Sequence, residues 1–276
     1  MKTDSITKTG SVHIIDTTLK SFAHRQINLS HDDRLTLASK LAATGVDELE
    51  AGIPVLGKWE QRFLKRLIAR GLSPRISGWC NLSLNDLEAA HACGIKDIRI
   101  SLPVSPESLE AKRMSASQMM ERLRSLMVQW RGAFDSISLE LEDAFYGDDI
   151  LMHNFLKAIP KMGIAGLRIV DSRGTATAGE IESLVGMFST LSGPEVDFQG
   201  FNNPVFALNN FTSALEGGAR SLSLKVNAYK TGSRGAALME LLSALRDLDW
   251  YTGRMKPLEI LPISKYVYEI EHRKIG

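Results

Sequence analysis

The feature that most constrains the fold is an alternation of two kinds of run, repeated eight times along the chain. A short β-like apolar run is followed each time by a longer amphipathic run, and the units recur about every 30 residues. The predicted strands are Val12–Thr18, Glu48–Ile53, Arg75–Cys80, Asp97–Leu102, Ser136–Glu142, Gly166–Ser172, Val196–Phe201 and Ser221–Asn227. Eight such units predict an α/β protein with a (β/α)8 TIM barrel. A doubly wound sheet is the alternative, but no Gly-x-Gly-x-x-Gly turn follows the first strand.

The amphipathic runs between the strands predict the helices of the barrel. They are Asp32–Thr44, Lys58–Arg70, Ser83–Cys93, Ser115–Trp130, Ile150–Met162, Ala178–Leu191, Ala207–Glu216 and Gly235–Leu248. We expect residues 1–11 to form a flexible N-terminal tail and residues 12–248 to form the barrel. Residues 249–276 then form a C-terminal helical or packing segment, which Pro257 and Pro262 are expected to break.

Composition narrows the class of protein. The chain has 276 residues, 44% of them hydrophobic, and a formal net charge of +1. This size fits one large domain, and the near-neutral charge argues against a nucleic-acid or membrane-surface partner. No apolar run approaches the roughly 18 residues that span a bilayer, and the polar N-terminus has no secretory signal. Cys80 and Cys93 lack metal-site spacing, so we expect two reduced thiols in a cytoplasmic protein.

Alternation within the strands predicts a charged interior. Successive side chains of a strand point to opposite faces, and the outer face of a barrel strand packs against apolar helices. The polar faces should therefore point into the barrel, where six charged side chains converge: Glu50, Arg99, Glu140, Glu142, Arg168 and Lys225. Two interpretations remain open, a structural lattice of ion pairs and a charged ligand pocket, because buried charges are costly unless they are paired.

The stretch around the end of the first strand is the strongest candidate for chemistry. An apolar run ends in Asp16-Thr17-Thr18-Leu19, and a polar, positively charged loop with Lys20, His24, Arg25 and Gln26 is expected to follow. Active sites of (β/α)8 barrels lie at the carboxyl ends of the strands. We therefore expect this junction to face the catalytic end.

Several short motifs occur in order along the chain and carry a family resemblance. They are Asp16-Thr17-Thr18-Leu19, Glu48-Leu49-Glu50-Ala51-Gly52-Ile53-Pro54, Ser77-Gly78-Trp79-Cys80, Ser101-Leu102-Pro103-Val104-Ser105, Ala111-Lys112, Glu142-Asp143-Ala144, Arg168-Ile169-Val170-Asp171-Ser172, Val226-Asn227 and Ala236-Ala237-Leu238. As a set, over roughly residues 12 to 270, they resemble the homocitrate synthase / isopropylmalate synthase family. This family comprises the DRE-TIM barrels that also include the HMG-CoA lyases, and the nitrogen-fixation type of homocitrate synthase is the most similar.

The resemblance implies a metal-dependent Claisen condensation, but this sequence departs from the family at the metal ligands. Ser21 stands where the family has its metal-binding Asp, and Lys20 where it has a substrate-polarising Arg. The family's His-x-His-Asn-Asp corresponds to a segment with Gln199 and Phe201, and its last ligand, an Asn, to Gly235. Phenylalanine cannot coordinate a metal, and a neutral amide is a poor ligand for a divalent cation. We expect no metal and no family-type C-terminal segment with a catalytic histidine and a lid.

Two functions follow as hypotheses. The first is a metal-independent enzyme that forms or cleaves carbon–carbon bonds of a small carboxylate or 2-oxo acid, with acetyl-CoA as a candidate co-substrate. Its candidate catalytic residues are Lys225, Lys20 and Glu142, with Lys225 acting as a Schiff-base nucleophile or as a cationic clamp. The candidate substrate-binding residues are His24, Arg25, Gln26, Glu50, Arg99, Ser101, Glu140, Arg168, Asp171, Asn202, Asn203 and Asn227.

The second hypothesis is a catalytically inactive homologue. Such a protein would serve as a ligand sensor, or as a partner subunit of an active synthase. Under either hypothesis we expect a small anionic metabolite as ligand. We also expect a homodimer or a heteromer with a paralogue, by analogy with the dimers of the family that the sequence resembles.

Overall fold

The parallel strands close into a barrel. The computed structural model describes residues 11–24, 29–191, 193–200, 204–226, 238–247, 249–250 and 253–272. Within them eight strands pair in chain order, and β8 pairs with β1. The strands are β1 His13–Asp16, β2 Glu48–Gly52, β3 Arg75–Asn81, β4 Asp97–Pro103, β5 Ser136–Glu142, β6 Gly166–Asp171, β7 Glu195–Gly200 and β8 Ser221–Leu224. The predicted (β/α)8 TIM barrel is confirmed, and the doubly wound alternative is wrong.

Helices connect the strands and surround the barrel. They are α1 Thr18–His24, α2 His31–Ala43, α3 Lys58–Ile68, α4 Leu84–Ala92, α5 Pro106–Ala111, α6 Ala116–Trp130, α7 Asp149–Ala158, α8 Ala178–Ser189, α9 Pro204–Glu216, α10 Leu238–Asp247 and α11 Pro257–His272. Side-chain oxygens of Ser30, Ser83, Ser115 and Thr177 accept hydrogen bonds from the first turns of α2, α4, α6 and α8. These caps explain why those helices begin where they do. None of the described helices is long and apolar enough to cross a bilayer.

The main core lies between the barrel and its helices. Along β5, Ile137, Leu139 and Leu141 are buried members of this core, as the alternation predicted. Ser138 and Glu140 belong to the other face, and Glu140 contacts Arg168 of the neighbouring strand β6 and Lys20 of α1 inside the barrel. The interior is therefore polar while the surrounding layer is apolar.

Two local predictions were wrong. The segment after β1 is the helix α1 and not a loop, because Thr17 bonds Leu224 O and Ser21 N–H then bonds Thr17 O. In addition, Pro257 begins α11 and Pro262 lies inside it without ending it. The missing N–H of Pro262 is tolerated because one face of α11 stays buried, with Ile260, Ile263, Val267 and Ile270 against the core.

Candidate functional site

The carboxyl ends of the strands surround a pocket of about 590 Å³. Lys20, Lys112 and Lys225 line it together with Glu140 and Glu142. Its position is the one where (β/α)8 barrels place their active sites. The pocket therefore brings together Lys20, Glu142 and Lys225, and their catalytic role stays a prediction.

Lys20 enters the pocket from α1 and not from a loop. Its side chain is buried, and its Nζ lies 2.6 Å from Glu50 Oε1 and 3.9 Å from Glu140 Oε2. The start of α1 fixes this placement, since Asp16 Oδ1 accepts a hydrogen bond from the Thr18 backbone N–H at 3.0 Å. Lys20 is therefore a cation held in one position between two carboxylates.

Below the pocket, the interior charges form a lattice of ion pairs. Arg168 is fully buried, and its Nη1 lies 2.5 Å from Glu50 Oε2 and 2.9 Å from Glu140 Oε2. Its Nε donates to Asp197 Oδ2 at 2.5 Å, and Arg99 Nη1 donates to Glu50 Oε2 at 3.1 Å. Each of these cations is thus shared between carboxylates from different strands. This is the arrangement expected for a structural lattice of ion pairs.

The lattice keeps its members charged. Burial by itself raises the pKa of Glu50, but Arg168, Lys20 and Arg99 lower it by more, so its pKa lies well below the ordinary value. The pKa of Glu140 is also lowered, because Lys20 and Arg168 outweigh the effect of burial. Burial lowers the pKa of Arg168, but Glu50, Asp197 and Glu140 raise it further. Glu50 and Glu140 are therefore ionised at neutral pH.

Hydrogen bonds orient the acids on the pocket side. Trp79 Nε1 donates to Glu140 Oε1 at 2.9 Å, and Ser101 Oγ donates to Glu142 Oε1 at 2.6 Å. The His24 ring packs edge-on against the Trp79 ring, with 5.2 Å between centroids. Burial, and then the charge of Lys20, lower the pKa of His24, so that its imidazole is neutral at pH 7. His24 and Ser101 are thus placed in or directly beneath the pocket.

Asp16 and Asp171 are buried acids at the ends of β1 and β6. Burial raises the pKa of Asp16 to about 7, although hydrogen bonds from Thr18 and the charge of Lys225 lower it. Asp171 accepts hydrogen bonds from the backbone N–H groups of Gly174, Thr175 and Ala176, so its carboxylate shapes the loop after β6. The assignment of Asp171 to substrate binding stays a prediction.

Comparison with known proteins assigns the family. The HMGL-like family matches residues 11–267. The chain belongs to the HMGL-like family. It is 23% identical to the homocitrate synthase subunit alpha of Clostridium pasteurianum, over 88% of this chain and 92% of that one. It is 26% identical to the (R)-citramalate synthase of Methanocaldococcus jannaschii, over 93% of this chain but only 52% of that one.

The fold is also that of an HMG-CoA lyase of known structure. The enzyme from Bacillus subtilis superposes with a TM-score of 0.80 at 18% identity, over 96% of this chain and 95% of that one. At 18% sequence identity, this similarity establishes that the two proteins share the barrel fold. The family resemblance predicted from the sequence motifs is confirmed.

Two of the positions that the HMGL-like resemblance assigns to metal ligands lie in the pocket wall. Ser21 Oγ donates to Thr18 O at 2.7 Å. Gln199 Oε1 is buried, and no donor among the described residues reaches it. In the part of the chain that the structure describes, no three His, Cys, Asp or Glu side chains are grouped as metal ligands. The hydroxyl oxygen of Ser21 and the amide oxygen of Gln199 are neutral donors, weaker ligands for a divalent cation than the Asp and His that the resemblance places there, and the absence of a metal stays a prediction.

Part of the predicted site is not described. Arg25, Gln26, Asn202, Asn203 and Asn227 lie outside the described residues, as do Phe201 and Gly235. Lys225 lines the pocket and is half-buried. Glu50, Arg99 and Arg168 lie in the lattice beneath the pocket, while Glu140 belongs to both.

Sequence reasoning missed one wall of the HMGL-like pocket. Ile53, Val55, Leu56 and Trp79 line it, from the segment after β2 and from β3. The position of Trp79 could have been predicted, because it belongs to the motif Ser77-Gly78-Trp79-Cys80 and shares a strand face with Ser77. The short 3-10 turn Pro54–Leu56 carries no periodic pattern, so its contribution could not be inferred from the sequence.

Proposed function

We propose that this HMGL-like chain is a metal-independent enzyme that forms or cleaves a carbon–carbon bond of a small carboxylate or 2-oxo acid. The observation that carries the proposal is the pocket itself, where Lys20 and Lys225 are brought together with Glu142 while Ser21 and Gln199 occupy positions that the resemblance assigns to metal ligands. A pocket with amines and acids, but with poor metal ligands, favours amine chemistry.

Lys225 is the proposed nucleophile. Its neutral amine would attack the C2 carbonyl of a 2-oxo acid. The carbonyl oxygen then leaves as water, and the C–N bond becomes an iminium. In a 4-hydroxy-2-oxo acid, the iminium accepts the electron pair of the breaking C3–C4 bond and becomes an enamine, while the 4-hydroxyl loses its proton and the fragment leaves as a carbonyl compound. Protonation of the enamine at C3 and hydrolysis of the C–N bond then release the shortened 2-oxo acid and Lys225. Glu142, oriented by Ser101, is placed to move the proton.

Lys20 is proposed as the fixed cation of the site. Because Glu50 already holds its Nζ at 2.6 Å, Lys20 is less suited to nucleophilic attack than to attracting the substrate carboxylate. A cation that is held in place before binding loses little side-chain entropy when the substrate arrives. The two lysines therefore receive different roles.

The names of the relatives support the substrate class. They are synthases of homocitrate, citramalate and isopropylmalate, and lyases of HMG-CoA. All of these names refer to small carboxylic acids or their thioesters, and they suggest acetyl-CoA as a co-substrate to test. The chain covers only about half of the citramalate synthase, so the activity of that whole protein is not carried over.

Borohydride trapping tests the proposal. The purified protein is incubated with pyruvate or with larger 2-oxo acids in the presence of a chelator, reduced with sodium borohydride and analysed by peptide mass spectrometry. We expect a reduced adduct on the peptide that contains Lys225. The variant Lys225→Arg keeps the charge but should abolish the adduct, whereas Lys112→Arg, in the same pocket, should leave it. Labelling that is unchanged in Lys225→Arg, or that needs an added divalent metal, contradicts the proposal.

A second candidate function is a non-catalytic ligand sensor or partner subunit. The observation that favours it is the pairing of Lys20, Arg99 and Arg168 with carboxylates of the same chain, which gives each of these cations a counter-charge without a ligand. Such a protein would bind a small anion without turnover, as a homodimer or with a paralogue. Light scattering of the purified protein, alone and mixed with an active homologue, together with the rate of that homologue, tests this function. A monomer that leaves the rate unchanged counts against the partner role.

A further inference from the structure

A second cavity, of about 690 Å³, lies between α6 and α7 on the outside of the barrel. None of the described residues that line it also lines the candidate site. The cavity lies at the carboxyl halves of the two helices, which run back toward the amino ends of the strands, so it is at the opposite end of the barrel. We call it the basic groove, after the four cationic residues that line it, Arg124, Arg131, Lys157 and Lys161.

Each of the two helices gives one face to the basic groove. Residues 124, 127, 128 and 131 of α6 and its end have the spacing i, i+3, i+4 and i+7 of a single helical face. Residues 154, 157, 158 and 161 repeat this spacing along α7 and the 3-10 turn that continues it. A Cβ built on Gly163, after that turn, would lie 3.7 Å from Arg131 Nη1, so Arg131 reaches across to the α7 side. The two faces therefore form one continuous surface.

The basic groove carries four cations and no acid. All four cationic side chains belong to exposed residues, and none of the described lining residues is acidic. Within the described part of the chain, none of the four cations forms an ion pair. The exposed Arg66, by contrast, pairs with Asp32 at 2.7 Å. Like charges that are grouped without a counter-charge repel one another, and a bound anion removes that repulsion.

An apolar strip lies between the cations. Val128 is 89% exposed, and no large hydrophobic side chain among the described residues is more exposed. A β-branched residue on the exposed side of a helix is favoured neither by helix propensity nor by packing within this chain. Met127 forms a buried floor beside it, and Ala158 and Met162 continue the strip on the α7 side. An exposed apolar strip between charged residues is typical of a surface that a partner covers.

The shape of the basic groove indicates what kind of partner fits. The face of α6 extends over seven residue steps, which is roughly 10 Å or two helical turns. Two adjacent helices with a groove between them accept a third helix, whose apolar residues at i, i+3 or i+4, and i+7 fill the groove. The cations at both ends of the strip then require carboxylates beside those apolar residues. A small inorganic anion would leave Val128 uncovered.

We propose that the basic groove binds an amphipathic helix of a partner protein that carries apolar residues along one face and acidic residues on both sides of it. The apolar face packs on Val128 and on the strip around it. The acidic residues pair with Arg124, Arg131, Lys157 and Lys161. Because the groove and the candidate site share no residue, this binding leaves the candidate site open and does not depend on the chemistry proposed there.

A labelled peptide tests the proposal. The probe is a stapled helical peptide of about 14 residues, roughly 20 Å long, with leucines along one face and glutamates on both sides of it. Fluorescence anisotropy with the full chain, at an ionic strength of about 0.15 M, should show saturable binding in the micromolar range. Lys157→Glu should weaken binding at least about tenfold, because a carboxylate then faces the glutamates of the probe. Val128→Ser should weaken it several-fold.

The matched control is Arg122→Glu, which makes the same kind of charge reversal on α6 but at a residue that lines a different cavity. It should change the dissociation constant by no more than about twofold. A second control peptide has the same composition, with its leucines spread around the helix, and should bind at least about tenfold more weakly.

Four results would overturn the proposal. The first is the absence of saturable binding of the probe. The second is equal binding of the two peptides, or equal effects of Lys157→Glu and Arg122→Glu, since either would mean unspecific attraction between charges. The third is displacement of the probe by micromolar inorganic triphosphate, which would indicate a site for a small anion. The fourth is self-association of the chain that Lys157→Glu abolishes in sedimentation, which would make a second copy the occupant.

Discussion

Replacement of Arg168 by methionine tests the lattice most directly. The substitution removes a fully buried cation and leaves the carboxylates of Glu50, Glu140 and Asp197 without their shared partner. Removal of one partner from a buried ion pair costs about 3–5 kcal/mol. For a barrel of this size, that loss corresponds to a fall in Tm of roughly 6–20 °C. We therefore expect a strongly destabilised but still cooperative protein in urea unfolding at pH 7.

The pH dependence sharpens this test. The pKa values of Glu50 and Glu140 are lowered in the folded protein, so their stabilising contribution is complete above the unfolded value of 4.5 and is lost as the pH falls through the folded values. In Arg168→Met the same acids lose the cation that lowers their pKa values, and protonation then relieves the repulsion between them. The difference in unfolding free energy between the two proteins should therefore shrink as the pH falls from 7 towards 4.

A matched control separates the lattice from ordinary surface pairs. Arg66 also pairs with a carboxylate, Asp32, at 2.7 Å, but its side chain is 51% exposed. Arg66→Met should change the unfolding free energy by no more than about 1 kcal/mol. The reasoning is refuted if Arg168→Met costs no more than this control, or if its cost is independent of pH.

Two further predictions concern other buried positions. The pKa of Asp16 is raised from 3.8 to about 7 in the folded protein, so the unfolded chain ionises at lower pH than the folded one. The free energy of unfolding should therefore fall as the pH rises from about 4 to about 7. Asp16→Asn should remove this slope in urea unfolding measured at several pH values. A Cβ on Gly52 would lie 2.0 Å from Glu60 Oε1, which pairs with Arg34. Gly52→Ala should therefore cost about 1–3 kcal/mol in the same assay, while Gly132→Ala, with open space around it, should be nearly neutral.

The barrel could be predicted from the sequence because its rules are periodic. Alternation along β5 separated Ile137, Leu139 and Leu141 from the interior residues, and the observed strand begins and ends where it was predicted. The wrong predictions occur where a tertiary contact overrides a local sequence preference. Pro262 stays helical because α11 keeps an apolar face on the core, and α1 forms because Thr17 is held by Leu224 O at the end of β8.

The candidate site was predicted only in part, for a physical reason. Alternation indicates which side chains enter the barrel, but it does not indicate which of them pair across it. Arg168 bonds Glu50, which is 118 residues away in the chain, and that contact exists only once the barrel is closed. Sequence reasoning could therefore place Arg168 inside the barrel but could not distinguish a lattice member from a ligand-binding residue.

The lattice and the pocket act as one system through Lys20 and Glu140. Both side chains line the pocket, and both are held from below by buried partners, Glu50 for Lys20 and Arg168 for Glu140. A buried lattice makes a site rigid, because moving one member leaves its partner without a counter-charge in a medium of low dielectric constant. The positions of the pocket charges are therefore set during folding and not by the ligand. Under either candidate function, a ligand that enters the pocket therefore meets a charge pattern that exists before it binds.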